Sequence, residues 1–283
     1  MKRKLADLHL HSSASDGKYT PENVIRYAAE SHLQAVSLTD HDTISGLAAA
    51  RKAAEDYGIE FINGVELTTF FQGKDCHILG YGFNETDKAI QKIFSQQFSS
   101  RNNRAEAMIG RLNKLGFEIN FEEVWAESNN APVSRVHIAR VMMSKGYCGT
   151  QHEVFLRYLG DDAPAYVPFH FIDAAEGIQA IHQAGGVAIL AHPSTHYIYE
   201  DLKKLMDIGI DGFEYIHPSH NYNSQLKYRN HARNHELIVT GGSDFHGYLN
   251  KDFLNLGMVA IDMEHVRTLR EYTYTKTSNA QLT

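Results

Sequence analysis

The stretch DLHLHSSASDG, residues 7–17, begins in the first apolar segment of the chain and carries two histidines spaced two apart. Side chains alternate between the two faces of a β-strand, so Asp7, His9 and His11 are predicted to share one face. The leucines between them then face the opposite side. Two imidazoles on one face can converge on a metal ion, or they can be ordinary hydrogen-bonded histidines, and this stretch alone leaves both interpretations open.

Short apolar segments recur along the chain and alternate with helical patterns. One helix is predicted to begin at Thr20-Pro21, where threonine can cap, and another to run from Asp42 and Thr43 to Gly58. Strands separated by helices of this length indicate an α/β fold built from parallel βαβ units. The predicted strands are LADLHL (5–10), QAVSLT (34–39), FINGVEL (61–67), HILGYGF (77–83), GVAILAHP (186–193), DGFEYIHP (211–218), LIVTGGSDFHG (237–247) and LGMVAI (256–261).

One long segment departs from this alternation. Residues 84–167 contain helical patterns such as SQQFSSRNNRAEAMIGRLNKLG and no strand-like run. We therefore predict a helical insertion, or cap domain, over 84–167, between the fourth and fifth strands. The two flanking parts, 1–83 and 168–283, would form the main domain.

Composition limits the classes of function. The 283 residues are 43% apolar and 22% charged, which is typical of a globular protein, and no apolar run is long enough for a transmembrane helix. With no signal-peptide pattern and two cysteines, Cys76 and Cys148, we expect a cytoplasmic protein. The net charge of -7 argues against a broad basic surface for duplex DNA, but it allows a small anionic substrate at a local positive site.

Polar residues recur where the other predicted strands end. The C-terminal ends of the strands in a parallel barrel lie on one face, so residues distant in sequence would meet there. Imidazole and carboxylate ligands suit Zn²⁺, Fe²⁺ or Mn²⁺. Their number is too large for one ion, which favours a cluster of two or three ions bridged by Glu66; the alternative is that all are structural. Besides His9 and His11, the set comprises Asp40, His41, Glu66, His77, His192, Asp244 and His246.

The pieces DLHLH, SDG, TDHD, GVE, AHP and GSDFHG together resemble the polymerase-and-histidinol-phosphatase (PHP) family of metal-dependent phosphoesterases. This resemblance implies a distorted (β/α)7 barrel that holds up to three divalent ions, with a small helical insertion. It also implies the ligands of each ion: His9, His11, Glu66 and Asp244 for the first, Glu66, His77 and His192 for the second, and Asp16, His41 and His246 for the third.

The segments VSRVHIAR and AYVP are similar to one branch of that family, which contains the 3′,5′-nucleoside bisphosphate phosphatases and the 5′-to-3′ exoribonuclease RNase AM. This similarity implies hydrolysis of the 3′-phosphate ester of pAp-like bisphosphates and release of 5′-mononucleotides from short single-stranded 5′-phosphorylated RNA. Both reactions need a 5′-phosphate on the substrate. The branch resembled also favours Mn²⁺ as the metal, with Fe²⁺ or Zn²⁺ possible.

Further residues are expected to serve the reaction. Arg135 and His137, in VSRVHIAR, are predicted to bind the second phosphate, since arginine offers a planar fork of donors to a phosphate. Lys18 is a further phosphate-binding candidate, and Arg157 is a weaker one. The catalytic step is expected to involve Asp40, His41 and His246. Glu214, His217 and His220 could line the pocket, without an assigned role.

Three other functions stay open at this stage. A phosphomonoesterase of the histidinol-phosphate type would not need the second phosphate site. A metal-bearing module without catalysis is a second alternative, although the ligand set is complete. A metal-dependent amidohydrolase is a third, because such enzymes also hold histidine clusters on barrels. The oligomeric state is not predictable from these patterns.

Overall fold

The computed structural model describes residues 4–168 and 172–280, with side chains up to residue 273. Within this part of the chain, nine strands form one sheet. The strands are β1 (Leu5–Leu10), β2 (Ala35–Leu38), β3 (Glu60–Phe71), β4 (Lys74–Tyr81), β5 (Ile172–Asp173), β6 (Val187–Leu190), β7 (Gly212–Ile216), β8 (Ile238–Gly241) and β9 (Ile261–Asp262).

Helices connect most of these strands, and a π-helix, Phe155–Leu159, follows α6. None of the helices in the described ranges is both long enough and apolar enough to cross a membrane. The α-helices are α1 (Pro21–Glu30), α2 (Leu47–Tyr57), α3 (Lys88–Lys114), α4 (Phe121–Glu127), α5 (Arg135–Ser144), α6 (Gln151–Val154), α7 (Ala174–Gln183), α8 (Tyr199–Asp207), α9 (Tyr222–Asn234), α10 (Asn250–Asn255) and α11 (Met263–Ala280).

The sheet curves into a nearly closed barrel, which confirms the predicted α/β barrel fold. Its strand order is β8-β7-β6-β4-β3-β2-β1-β9, and β5 pairs with β3. The barrel closes where β1 meets the residues that follow β8. His11 N donates to Phe245 O at 2.9 Å, and Asp244 N donates to His9 O at 2.9 Å. These bonds join β1 to the segment after β8, and three of the residues that form them, His9, His11 and Asp244, belong to the predicted site.

Strand direction differs from the prediction at β4, and also at β9, which pairs antiparallel with β1. β4 runs antiparallel to both of its neighbours, β3 and β6. Only Gln72 and Gly73 separate β3 from β4, and both adopt positive φ, of 50° and 84°. A two-residue turn of this kind joins antiparallel strands and leaves no room for a crossover helix. The expectation of parallel units throughout the sheet is therefore wrong at β4.

The predicted last strand, residues 256–261, is also wrong. α10 ends at Asn255, and a turn with Gly257 at a φ of 80° follows it. Only Ile261 of the predicted run enters β9, which pairs antiparallel with β1. The apolar composition of the run does not reflect a buried strand, since Met258 is 82% exposed.

The start of the second helix differs as well. α2 begins at Leu47, not at Asp42 or Thr43. Asp42 adopts a left-handed φ of 54°, and its carboxylate accepts hydrogen bonds from Thr68 N at 2.8 Å and Arg101 Nε at 2.7 Å. These tertiary contacts replace the helix-capping role expected of this aspartate. They also tie the loop after β2 to α3.

Residues 84–167 contain helices and turns and possess an apolar core of their own. α3 contributes to two cores: Ile93 and Phe94, in its first half, pack into the barrel, whereas Met108 and Leu112, in its second half, pack against α4 and α5. The helix therefore links the insertion to the barrel. The 84–167 domain boundary stays a prediction.

Replacing Gly242 by alanine should destabilise the barrel at its closure. A Cβ at this position would lie 2.5 Å from Asp7 Oδ1 and from the backbone nitrogen of His9. We expect the free energy of unfolding in urea to fall by about 1–3 kcal/mol, as in other overpacked sites. Gly110→Ala is the control, because a Cβ at this position on α3 would lie in open space. This substitution should raise the free energy of unfolding by about 0.5–1 kcal/mol. Equal stability of the two variants would contradict this role of the closure.

Candidate metal centre

Strand direction explains how residues from distant segments meet at one edge of the barrel. His9 lies near the C-terminal end of β1, and Glu66 lies within the long strand β3. His77 lies in the first half of β4, which runs in the opposite direction, so its position opposite Thr68 brings it to the same edge. The antiparallel strand thus supplies a site residue from its N-terminal half.

Glu66 is the centre of this arrangement. It is 1% exposed, and both of its carboxylate oxygens face imidazole nitrogens. Burial opposes its ionisation, but His41, His9 and His77 hold the pKa of Glu66 well below its ordinary value. Oε1 lies 2.8 Å from His77 Nδ1 and 2.8 Å from His192 Nε2, and Oε2 lies 3.1 Å from His9 Nε2, 3.1 Å from His11 Nε2 and 3.4 Å from His41 Nδ1.

The described residues bring the nine predicted ligands into one continuous cluster. His192 joins it through its contact with Glu66. Compared with the predicted ligand sets, His11 also reaches the third group and His41 also reaches the second. Three groups formed by the predicted ligands have ligand atoms within 4.8 Å of one another: His9, His11, Glu66 and Asp244; His41, Glu66 and His77; and His11, Asp16, His41 and His246.

The chemistry of these atoms fits divalent cations. His41 Nδ1 and Asp16 Oδ1 are buried and have no hydrogen-bond partner among the described residues, which is costly unless a cation binds them. Burial lowers the pKa of His41 to about 3, so its imidazole is neutral and retains a lone pair. Mixed imidazole and carboxylate donors suit Zn²⁺, Fe²⁺ and Mn²⁺. The cluster is accordingly suited to bind divalent metal ions.

Hydrogen bonds behind the ligands determine which ring nitrogen faces the centre. Nδ1 of His246 lies 2.9 Å from the backbone oxygen of Asp244, so it is the donor, and Nε2 faces Asp16 Oδ1 at 3.4 Å. Burial disfavours the charged ring, yet Asp244 and Asp16 raise the pKa of His246 to about 10. The carboxylates therefore attract positive charge to this position, as a cation site requires.

Glu214 orients the ring of His9, as the backbone oxygen of Asp244 orients the ring of His246. It is fully buried, and its Oε1 lies 3.0 Å from His9 Nδ1. Burial opposes ionisation of Glu214, but His9 and His217 hold its pKa below its ordinary value. An ionised carboxylate only accepts, so Nδ1 of His9 carries a proton toward Glu214, and Nε2 is the ring nitrogen that faces the cluster. Sequence reasoning left Glu214 without a role, although its two-residue alternation within β7 could have placed it on the inner face.

Two ligands have strained backbones. His192 has a φ of 26° and Asp244 a φ of 53°, a region that residues other than glycine rarely adopt. His192 N donates to Glu214 Oε2 at 2.7 Å, and Asp244 N donates to His9 O at 2.9 Å. These bonds hold the strained residues in place, as is common at functional sites.

Asp40 lies outside the ligand groups. Its carboxylate accepts hydrogen bonds from Ser12 N at 2.7 Å, Ser12 Oγ at 2.7 Å and Ser15 Oγ at 2.6 Å. These contacts fix the loop that carries Asp16 to the end of β2. Its predicted catalytic role, and those of His41 and His246, stay predictions.

Of the three predicted phosphate-binding residues, Lys18 and His137 lie near each other and Arg135 lies apart from them. His137 is 1% exposed, its Nδ1 accepts from Ser134 N at 3.0 Å, and burial lowers its pKa to about 4. Exposed Lys18 and buried His137 line a small cavity of about 310 Å³ between the barrel and the insertion. Arg135 instead contacts Asp161 Oδ1 at 3.0 Å. Arg135 lies near a second arginine, Arg104, which also contacts the Tyr166 ring.

That arginine group was not predicted. Arg101 pairs with Asp42, beside the ligand His41, and Arg104 lies one helical turn further along α3. Arg104 and Arg135 both lie over Tyr166, at 5.4 and 5.7 Å from its ring centroid. The sequence SRNNR contained the signal, because arginines three apart share one face of a helix.

A cavity of about 710 Å³ adjoins the cluster. Asp16, Asp244 and His246 line its inner end. Its outer wall combines Phe155 of the insertion with Tyr248 of the barrel. The ligand cluster is therefore reached through a space that both parts of the chain enclose.

Comparison with known proteins identifies this arrangement. The family model described as the PHP domain matches residues 7–163. A 5′-3′ exoribonuclease of Haemophilus influenzae is 33% identical over 86% of this chain and 90% of its own length. A 3′,5′-nucleoside bisphosphate phosphatase of Chromobacterium violaceum is 34% identical over 85% of this chain and 86% of its own.

Two further comparisons broaden this picture. A phosphoribosyl 1,2-cyclic phosphate 1,2-diphosphodiesterase of Eggerthella lenta is 30% identical over 86% of this chain and 94% of its own. A solved structure described as a metal-dependent phosphoesterase of Bifidobacterium adolescentis superposes with a TM-score of 0.86 at 29% identity, covering 93% of this chain and 94% of that one.

Removing the Glu214 carboxylate should weaken metal binding without removing a ligand. Glu214→Ala releases the His9 ring and the His192 backbone, so we expect metal affinity to fall on the order of 10- to 100-fold. Glu214→Gln, which can keep one acceptor, should lose less. Competition with a chelator measures the affinity, and Glu176→Ala, on the exposed surface of α7, is the control. Wild-type affinity in Glu214→Ala would exclude this positioning role.

Proposed function

Because this chain belongs to the PHP family of metal-dependent phosphoesterases, we propose that its substrates are nucleoside 3′,5′-bisphosphates and short 5′-phosphorylated RNA. The reaction would hydrolyse the ester at the 3′ oxygen of the first nucleotide. A pAp-like substrate then loses its 3′-phosphate, and RNA loses a 5′-mononucleotide. Two relatives carry the names of these activities.

The observation that carries this proposal is a row of three arginines that starts next to the metal-ligand cluster at Arg101 and continues through Arg104 to Arg135. Arg101 lies close enough to the ligand His77 to affect its pKa. Burial lowers the pKa of Arg104 to about 10, and repulsion from Arg135 and Arg101 adds to this effect. Mutual repulsion between guanidinium groups is relieved when an anion binds among them. A second phosphate, distinct from the one that reacts, is the group this row would bind.

Divalent ions held by the cluster would neutralise negative charge on the phosphoryl group and activate water for attack. Three such ions would bring six positive charges against the three carboxylates of Asp16, Glu66 and Asp244. The centre would then attract phosphate strongly although the whole chain has a net charge of -7. Mn²⁺ remains our prediction for the metal, with Fe²⁺ and Zn²⁺ as alternatives.

The cavity supports a small or single-stranded substrate. Its volume of about 710 Å³ is in the range of small-molecule sites, and both the insertion and the barrel enclose it. We therefore propose nucleotides and single-stranded RNA as substrates, and not duplex DNA.

A phosphoribosyl cyclic phosphate is the competing substrate, because one relative is named for its cleavage. That molecule also carries a phosphate besides the ester that is cleaved, so the arginine row would suit it as well. A monophosphate of the histidinol-phosphate type has no second phosphate and would not use the row.

Arg135→Ala should remove the preference for a second phosphate. In the wild type reconstituted with Mn²⁺, we expect kcat/KM for adenosine 3′,5′-bisphosphate to exceed that for adenosine 3′-monophosphate. In the variant this ratio should fall on the order of 10- to 100-fold, the effect of losing one charged hydrogen-bond donor. Phosphate release measures both rates.

Arg270→Ala is the matched control, since Arg270 is exposed on α11 and pairs with Glu60 at the start of β3. An unchanged ratio in Arg135→Ala would contradict the role of Arg135. Equal wild-type rates on the two adenosine substrates would reject the second-phosphate requirement. Turnover of phosphoribosyl cyclic phosphate alone would replace the proposed substrates with that class.

A further inference from the structure

His217 follows β7 and faces the cavity that adjoins the metal-ligand cluster. It is 7% exposed, and it lines the cavity together with Asp16, Asp244 and His246. Its ring centroid lies 5.1 Å from that of the ligand His192. The side chain is therefore buried beside the cluster with one edge in the space where a substrate would bind.

The hydrogen bonds of His217 show which of its two ring nitrogens is the acceptor. The backbone N–H of Ser219 can only donate, and it points to His217 Nδ1 at 3.1 Å. Nδ1 is therefore the acceptor, and the proton lies on Nε2. The Ser219 hydroxyl, 2.8 Å from the same Nδ1, adds a second contact on that side of the ring.

The Nε2–H group has no hydrogen-bond partner among the described residues, although Asp244 Oδ2 lies 3.3 Å away. A buried donor without an aligned acceptor is costly unless a ligand supplies one. The neighbouring His220 shows the contrast. Its Nδ1 lies 2.9 Å from Tyr215 O, and its Nε2 accepts from Ser194 N at 2.9 Å, so both nitrogens are used.

The same geometry argues against His217 as a metal ligand. His9, Glu214 and His217 are close enough to form a candidate metal group. However, His9 Nδ1 and Glu214 Oε1 already pair at 3.0 Å, and a protonated Nε2 has no lone pair to offer. His217 thus differs from the nine ligands in what it presents to the cavity, which is a donor.

We propose that His217 is a catalytic residue that donates a hydrogen bond from Nε2 to a non-bridging oxygen of the reacting phosphate. No proton is transferred in this contact. Asp244 turns Oδ1 toward the ring nitrogens of His9 and His11, at 3.4 and 3.2 Å, and Oδ2 toward His217. A phosphate bound beside Asp244 would then lie within reach of the unused donor. The choice of substrate rests on the proposed function, whereas the phosphate contact itself does not.

The test compares His217→Ala with His217→Gln, whose amide can supply a donor near the position of Nε2. In His217→Ala we expect metal content per chain to stay at the wild-type value. Its kcat/KM for adenosine 3′,5′-bisphosphate should fall on the order of 10-fold or more, and binding of inorganic phosphate to the metal-loaded protein should weaken similarly. His217→Gln should recover part of both losses. His196→Gln, at an exposed position after β6, is the control.

Loss of metal in His217→Ala would overturn the proposal and make His217 a ligand or a support for Asp244. Unchanged phosphate binding and kcat/KM would overturn it as well. Failure of the proposed function gives a different result: the wild type would bind phosphate and lose this binding in His217→Ala, yet not hydrolyse the bisphosphate. That result would support the His217 contact while rejecting the substrate.

Discussion

A single buried carboxylate, that of Glu66, is the interaction on which the rest of the site depends. A charge this deeply buried is tolerated only when it is paired, and here five imidazole nitrogens lie within 3.4 Å of its two oxygens. Those histidines come from four separate strands or the loops after them. Barrel curvature and the reversed direction of β4 are what bring them to one point.

The same residues therefore close the barrel and form the metal-ligand cluster. The hydrogen bonds that close the barrel use the backbone of His9 and His11, whose side chains face the cluster. Glu214 couples two further positions, because one carboxylate orients the His9 ring and holds the strained backbone of His192. Ligand geometry is thus set by the same contacts that complete the sheet, whereas the insertion adds the arginine row and the outer cavity wall.

Strand and helix patterns predicted the α/β class, because they are local signals, and the resemblance of short polar motifs to the PHP family implied the barrel and the nine ligand candidates. Contacts between segments that are distant in the sequence could not be predicted from these local patterns. Asp42 looked like a helix cap, yet it binds Arg101 of the insertion. His137 looked like a phosphate ligand, yet it is buried at the start of α5. Glu214 has an ordinary strand position, and only the fold shows that it faces His9.

Counting bound metal ions in Glu66→Gln tests the central claim most directly. Glu66 belongs to two of the ligand groups, whereas Asp16 belongs to one. The structure therefore predicts that Glu66→Gln, measured by elemental analysis after reconstitution, loses more ions per chain than Asp16→Asn, while Glu60→Gln on the same strand keeps the wild-type content. Equal losses in Glu66→Gln and Asp16→Asn, or no loss in Glu66→Gln, would contradict a cluster bridged by this carboxylate.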